Sequence, residues 1–135
     1  MAAVFSLDGF LKLSLLDKSK AVAAGVPASA LRELVADSAV TLSDVAKVVA
    51  PRRTLDRRLK DNANLTPEES DRFARFASIL SLCEHIFGSR AEAMEWLEAP
   101  KRRFDGERPI DLIRTEVGAR LVEQLLVQAQ HGMTA

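Results

Sequence analysis

The 135-residue sequence predicts an all-α fold. Three observations carry that expectation. Helix start and stop signals recur along the chain, apolar residues repeat at three- and four-residue steps between them, and no stretch shows the two-residue alternation of a half-buried strand. With 47% hydrophobic side chains, a chain of this length makes one domain, or two small subdomains sharing a core.

Taken in order, the first 24 residues match no motif. They hold Phe5, Phe10, Leu11, Leu13, Leu15 and Leu16, which suit an extra helix that either self-associates or pads the core. Pro27 suits a first helical turn. Thr41-Leu42-Ser43-Asp44 sets a capping hydroxyl three residues before a carboxylate, with Val40 and Val45 placed as a hydrophobic staple. After a tight turn, Pro51-Arg52-Arg53-Thr54-Leu55-Asp56-Arg57-Arg58-Leu59 starts a second helix, and the pair reads as a helix-turn-helix. The polar stretch from Lys60 to Asn64 is the best boundary. Thr66-Pro67-Glu68-Glu69 then opens a helix that should run to about Phe87 and stop at Gly88, burying Phe73, Phe76, Ala77, Leu80, Cys83 and Phe87. Ser89-Arg90-Ala91-Glu92 opens a short helix ended by Pro100, in which Trp96 is expected to anchor the core beside Met94 and Leu97. Pro109 suits another first turn. Thr115 caps a last helix whose apolar residues are Val117, Leu121, Val122, Leu125 and Leu126. Gly132 is expected to close it in a left-handed conformation and turn Met133, Thr134 and Ala135 off its axis. Seven or eight short helices result.

Charge excludes long-range attraction as a means of binding, because 19 basic and 19 acidic residues cancel. The balance is local. Residues 51–66 carry five basic and two acidic groups, whereas residues 67–100 carry three and seven. A single cysteine, Cys83, excludes a disulfide framework within the chain and paired-cysteine zinc sites, which suits a reducing cytoplasm. Apolar runs fall far short of the roughly 20 residues a membrane span needs, and no leader pattern opens the sequence.

On the second helix of the pair, Leu55 and Leu59 should face inward. That leaves Arg52, Arg53, Thr54, Arg57 and Arg58 for phosphate or guanine edges, targets that a planar guanidinium fork matches. The competing reading is a solvated basic face, with Asp56 and Asp61 repelling phosphate. Lys101-Arg102-Arg103-Phe104-Asp105-Gly106-Glu107-Arg108, a loop of cations around an aromatic, could hold an anionic partner, though a solvated connection with Phe104 in the core is the plainer reading. Enzymatic readings fare poorly. His85 and His131 lack ligands at metal spacing, no phosphate-cradling glycine loop exists, and Cys83 on an apolar stripe reads as an inert thiol. The residues favour a binding protein over a catalyst, with neither metal nor cofactor.

Several blocks then occur in the order of a known family: Arg52-Arg53-Thr54-Leu55 with Arg57-Arg58; Leu65-Thr66-Pro67-Glu68-Glu69-Ser70-Asp71-Arg72; Phe87-Gly88 with Trp96-Leu97-Glu98-Ala99-Pro100; and Pro109-Ile110-Asp111-Leu112-Ile113 running into Thr115-Glu116-Val117-Gly118 and a helix ending in His131-Gly132. Over roughly residues 25–135 the chain resembles the Xre/ParS/MbcA-type antitoxins of bacterial RES-domain toxin systems. It departs from them at Val48-Val49-Ala50-Pro51, which lacks a usual turn glycine, at Lys101 in place of an asparagine, and at Asp105-Gly106 in place of a glycine pair. The resemblance implies an N-terminal extension (1–24), an Xre-like helix-turn-helix (25–64) and a small helical toxin-binding domain (65–135). It implies a cytoplasmic homodimer that neutralises a RES-domain toxin acting on NAD, by NAD degradation or ADP-ribosyl transfer, and that represses its own operon on operator DNA. The toxin-binding residues it implies are Lys101, Arg102, Arg103, Arg120, Gln124, Gln128, His131, Gly132 and Met133, with the end of the last helix at the toxin's cofactor cleft. A stand-alone helix-turn-helix transcriptional regulator is the alternative.

Overall fold

The computed structural model describes residues 5–134, and the side chains of 5–132. Among them, nine α-helices and one 3-10 turn follow one another without a strand: α1 (Leu7–Leu11), α2 (Leu15–Ala24), α3 (Ala28–Leu34), α4 (Leu42–Ala46), α5 (Arg52–Asp61), α6 (Pro67–Phe87), α7 (Arg90–Glu98), the turn Arg102–Phe104, α8 (Pro109–Leu112) and α9 (Glu116–Thr134). The cap logic holds. Thr41 and Asp44 form a reciprocal capping box on α4, and Thr66 and Glu69 do so on α6. Ser89 and Thr115 each accept an amide hydrogen bond at the start of α7 and α9. Gly88 ends α6 at φ 97°, a conformation that costs a glycine nothing.

The 21-residue α6 is the spine. Its buried Phe73, Phe76, Ala77, Ile79, Leu80 and Cys83 enter a single core with Leu31 and Leu34 of α3, Val45, Leu55, Leu97 of α7, and Val122 and Leu126 of α9. Burial pushes the Cys83 thiol up to about 12, so it stays protonated. Helices α2, α7 and α9 all pack on α6, while α3 and α4 pack on α5. The join between α2 and α6 is tight: the Val26 amide donates to the buried Ser70 hydroxyl at 2.8 Å, the Leu65 amide donates to the Val26 carbonyl, and a Cβ on Gly25 would lie 2.6 Å from the Leu65 oxygen. Gly118 is equally constrained, since a Cβ there would lie 1.9 Å from the Leu112 carbonyl oxygen where α9 leaves α8.

Several expectations change. Leu7 and Phe10 join the core, but Leu13, Leu15 and Leu16 stay exposed. Trp96 is half-buried, stacked 5.7 Å from the Phe87 ring, so it flanks the core and does not anchor it. On α9, Val122 and Leu126 are buried as expected, whereas Val117 and Leu121 face solvent. The helix runs through Gly132, which remains helical, so the tail is not redirected there. The expectation for the Met133 side chain lies outside the described side chains.

Arg58 is also placed differently. Its Nε and Nη2 donate to the two carboxylate oxygens of Glu69 at 3.1 and 3.2 Å, a two-pronged bond across the α5–α6 junction with both side chains largely covered. Burial alone would raise the Glu69 carboxyl, but hydrogen bonds from Arg58 and the Thr66 amide and the charges of Arg58 and Arg72 hold it below its ordinary 4.5. Stability from Glu69 is therefore present above that value and lost as pH falls through the lower folded pKa. Arg58→Ala should cost roughly 3 kcal/mol by stranding a covered carboxylate. Urea melts at neutral and acid pH should show the gap between variant and parent closing in acid, and a gap that does not depend on pH would contradict this role.

Candidate functional site

Two surfaces present the residues singled out in the sequence. The first is α5, which Pro51 starts and Asn62 ends in a left-handed conformation at φ 50°. Leu55 is fully buried and Leu59 half-buried, which turns Arg53 and Arg57 to solvent. Neither of these arginines has a side-chain partner among the described residues. Arg52 is tethered, donating from Nη1 to the Ser43 hydroxyl at 2.9 Å and from Nε to Asp56 at 3.3 Å. Thr54 is half-buried beside them. Asp56 is thus partly neutralised by its own helix. The loss of Arg58 to Glu69 leaves a basic edge of Arg52, Arg53 and Arg57.

The second surface is the outer side of α9. Val117 (69% exposed), Leu121 (46%), Gln124 and Gln128 recur at helical spacing, flanked by Arg120 and Val127. Arg120 pairs with Glu116 at 2.8 Å, and Arg103 reaches across to Gln128 at 2.6 Å, bringing the 101–108 loop onto the same face. A shallow recess of about 200 Å³ lies between Arg103, Phe104, Leu121, Gln124, Leu125 and Gln128. Arg102 is exposed nearby, as is His131 toward the helix end. Lys101 is not on this face. Its ammonium lies 4.4 Å from the centre of the Trp96 ring, and burial lowers its pKa. Beyond Leu126 no described side chain of α9 is buried, so its last turns project from the core. Val117, Leu121 and Val127 were missed as surface residues by the sequence reasoning.

Residues 17–78 match the family described as the antitoxin Xre-like helix-turn-helix domain, and residues 83–132 match the antitoxin Xre/MbcA/ParS C-terminal toxin-binding domain. A probable mycobacterial cidal antitoxin of Mycobacterium tuberculosis is 31% identical over 90 residues, 65% of this chain and 75% of that protein. The chain belongs to the Xre/MbcA/ParS antitoxin family. An antitoxin Xre of Pseudomonas putida is 39% identical over 84 residues, 62% of this chain and 53% of that protein. A Prs ADP-ribosylating antitoxin of a Sphingobium species is 26% identical over an alignment of 144 positions covering 97% of this chain and 89% of that one. The chain spans little more than half the length of the Xre relatives of Pseudomonas putida and Yersinia enterocolitica.

In this family member the helix-turn-helix match ends at residue 78 and the toxin-binding match begins at residue 83, both inside α6. The exposed face of α9 falls within the toxin-binding match, and α4 and α5 fall within the other. A cluster of charge bridges the two regions. Lys47 of α4 lies 3.3 Å from Asp44 and 3.7 Å from Glu98 at the end of α7. A hydrogen bond with Asp44, burial and the Asp44 charge push the Glu98 carboxyl up, against the pull of Lys47 and Arg108. Asp44 goes the other way: burial raises it, but hydrogen bonds from Glu98, Thr41 and Lys47 bring it below its ordinary 3.8. A carboxyl with a raised pKa contributes stability that is present in acid and lost as pH rises through the folded value. Glu98→Gln keeps a donor toward Asp44 at every pH. It should therefore raise the melting temperature at about pH 7 by roughly 1–4 °C and change it little near pH 4. Thermal melts at the two pH values would contradict the assignment if the gain were equal at both.

Proposed function

We propose that this chain is the antitoxin of a toxin–antitoxin pair, and that it neutralises a RES-domain toxin acting on NAD by covering the toxin's active site with α9. The observation that carries the reading is the exposed Val117 and Leu121 on a helix inside the toxin-binding match. Apolar side chains left uncovered on a well-packed small domain mark a surface that another protein covers. The name of the Sphingobium relative, a Prs ADP-ribosylating antitoxin, supports a partner with NAD chemistry. We further propose that the basic edge of α5 binds operator DNA and represses the operon that encodes the pair, and that the protein acts in the cytoplasm as a homodimer.

The physical logic is that of an ordered plug. A cofactor present in quantity is outcompeted by a large interface that dissociates slowly. An already formed helix loses little freedom on docking, so more of its contact energy becomes affinity. Leu121 and Val117 supply apolar contact. Gln124 and Gln128 offer uncharged hydrogen-bond partners, with Arg102, Arg103 and Arg120 at the rim. The projecting turns through His131, Gly132 and Met133 are the part that reaches the cofactor cleft. Lys101 is left out because it is spent on Trp96. On α5, Arg53 and Arg57 are the readers, with Arg52 and Thr54 beside them, and Arg58 acts only through stability.

The two surfaces should separate by mutation. Val117→Glu with Leu121→Glu should abolish co-purification with the toxin encoded beside this chain and restore toxin-dependent NAD loss, while the melting temperature stays within a few degrees of the parent. Arg53→Ala with Arg57→Ala should weaken operator binding in a gel-shift titration at fixed salt, each lost base contact being worth about 1–3 kcal/mol, and should leave neutralisation intact. Full neutralisation by the glutamate variant would sink the toxin-face assignment. Unchanged operator affinity of the alanine variant would sink the DNA-face assignment.

A further inference from the structure

Between the turn that precedes α5 and the turn that precedes α9 lies an open trough of about 570 Å³, which neither candidate surface uses. Val49 and Pro51 line it from the helix-turn-helix match, Asp111, Arg114 and Thr115 from the toxin-binding match, and Arg72 from α6, the helix that joins them. Arg72 is fixed by its Nε bond to the Val49 carbonyl at 2.7 Å, and its two terminal nitrogens have no partner among the described residues. No buried side-chain nitrogen there lacks a partner, so these two are open to solvent. Arg114 is exposed, and its guanidinium is likewise without a partner among the described residues. The nearby carboxylates are already taken. Asp111 receives a two-pronged bond from Arg108 at 2.8 and 3.1 Å, Asp71 is held by Arg75, Glu69 by Arg58, and Glu116 pairs with Arg120 at 2.8 Å. The trough is therefore cationic in a chain whose total charge is zero, and two guanidinium forks match an anion with several acceptor oxygens, which is a phosphate.

We propose that this trough receives the DNA backbone, with Arg72 and Arg114 clamping a phosphodiester beside the bases that α5 reads. The inference rests on the DNA reading of α5 and extends it to a residue of the toxin-binding match. Position favours DNA over a free anion. Pro51 borders the trough and lies two residues, at most about 7 Å of chain, from Arg53. The major groove is about 12 Å wide and walled on both sides by phosphates, so a helix seated in it has a strand of backbone along its flank. A site for a small ligand encloses most of that ligand, whereas this trough is open, as a passing strand requires. Such a contact carries no sequence information; it fixes the register in which Arg53 and Arg57 meet the bases. The side chain that holds the phosphate is also the one that holds the Val49 carbonyl, so a single guanidinium positions both the backbone and the turn into α5.

The experiment is a fluorescence-anisotropy titration of the full chain, at several salt concentrations, against a duplex taken from upstream of its own coding sequence and a shuffled duplex of equal length. The parent is compared with Arg114→Gln, Arg114→Lys and Arg53→Ala/Arg57→Ala. Arg114→Gln should weaken both duplexes by the same factor, roughly three- to tenfold, and flatten the plot of log affinity against log salt by about one unit. Arg114→Lys should restore the slope, and the α5 variant should lose the upstream duplex preferentially. If Arg114→Gln keeps the parent's affinity and slope while the α5 variant loses the upstream duplex, this inference is overturned and the α5 reading stands. A parent that binds neither duplex would overturn both. Saturable binding of inorganic phosphate that Arg114→Gln removes, with both DNA slopes unchanged, would make the trough a small-anion site and overturn the proposal too.

Discussion

Both candidate surfaces are held from one helix. Along α6, residues 69, 72 and 75 stand three apart, and each reaches a different part of the chain. Glu69 receives the Arg58 fork from α5. Arg72 donates from Nε to the Val49 carbonyl at 2.7 Å, fixing the turn that joins α4 to α5. Arg75 donates to the Ile113 and Arg114 carbonyls at 3.2 and 2.8 Å, fixing the turn into α9, and is itself held by Asp71. Guanidinium groups suit this work because a planar fork satisfies exposed carbonyls at loop ends while its stem covers apolar surface. The basic edge of α5 and the apolar face of α9 are therefore placed by a single rigid element, with no flexible linker between them.

Shared support also explains how a chain of zero net charge can offer two unlike surfaces. Of the seven acidic residues of the 67–100 segment, Glu69, Asp71 and Glu84 are paired with Arg58, Arg75 and Arg90. Arg90 in turn donates to the Leu34 carbonyl, tying α7 to the end of α3. Arg53 and Arg57 of α5 are left at the surface without a side-chain partner. The carboxyl pair of Asp44 and Glu98 is the exception, two like groups facing one another across the join with Lys47 between them.

Most of the fold was legible because it is written in local chemistry. The Thr41, Thr66, Ser89 and Thr115 caps and the Gly88 stop need only neighbours within one turn, and each formed as its spacing implied. What was not legible depends on distant partners. Arg58 looked like its neighbours on α5 until Glu69, eleven residues on, was placed against it. Lys101 read as a free cation because nothing in its loop shows that Trp96 lies beneath. Gly132 carries the residue type of a left-handed stop, yet its backbone stays helical and α9 continues to Thr134. The burial of α9 did leave a signal. Small residues at 118 and 119 mark the side that meets α8, and Val122 and Leu126 follow in line with them, which leaves Val117 and Leu121 outside.

The central claim is that a toxin covers the outer face of α9 while α5 remains open. Hydrogen–deuterium exchange of this chain, alone and with the proposed RES-domain partner, tests it most directly. The account predicts that added protection is concentrated in residues 117–132 and the 101–108 loop, with exchange in α5 unchanged. Protection concentrated in residues 52–61, with α9 exchanging as it does in the free chain, would contradict it.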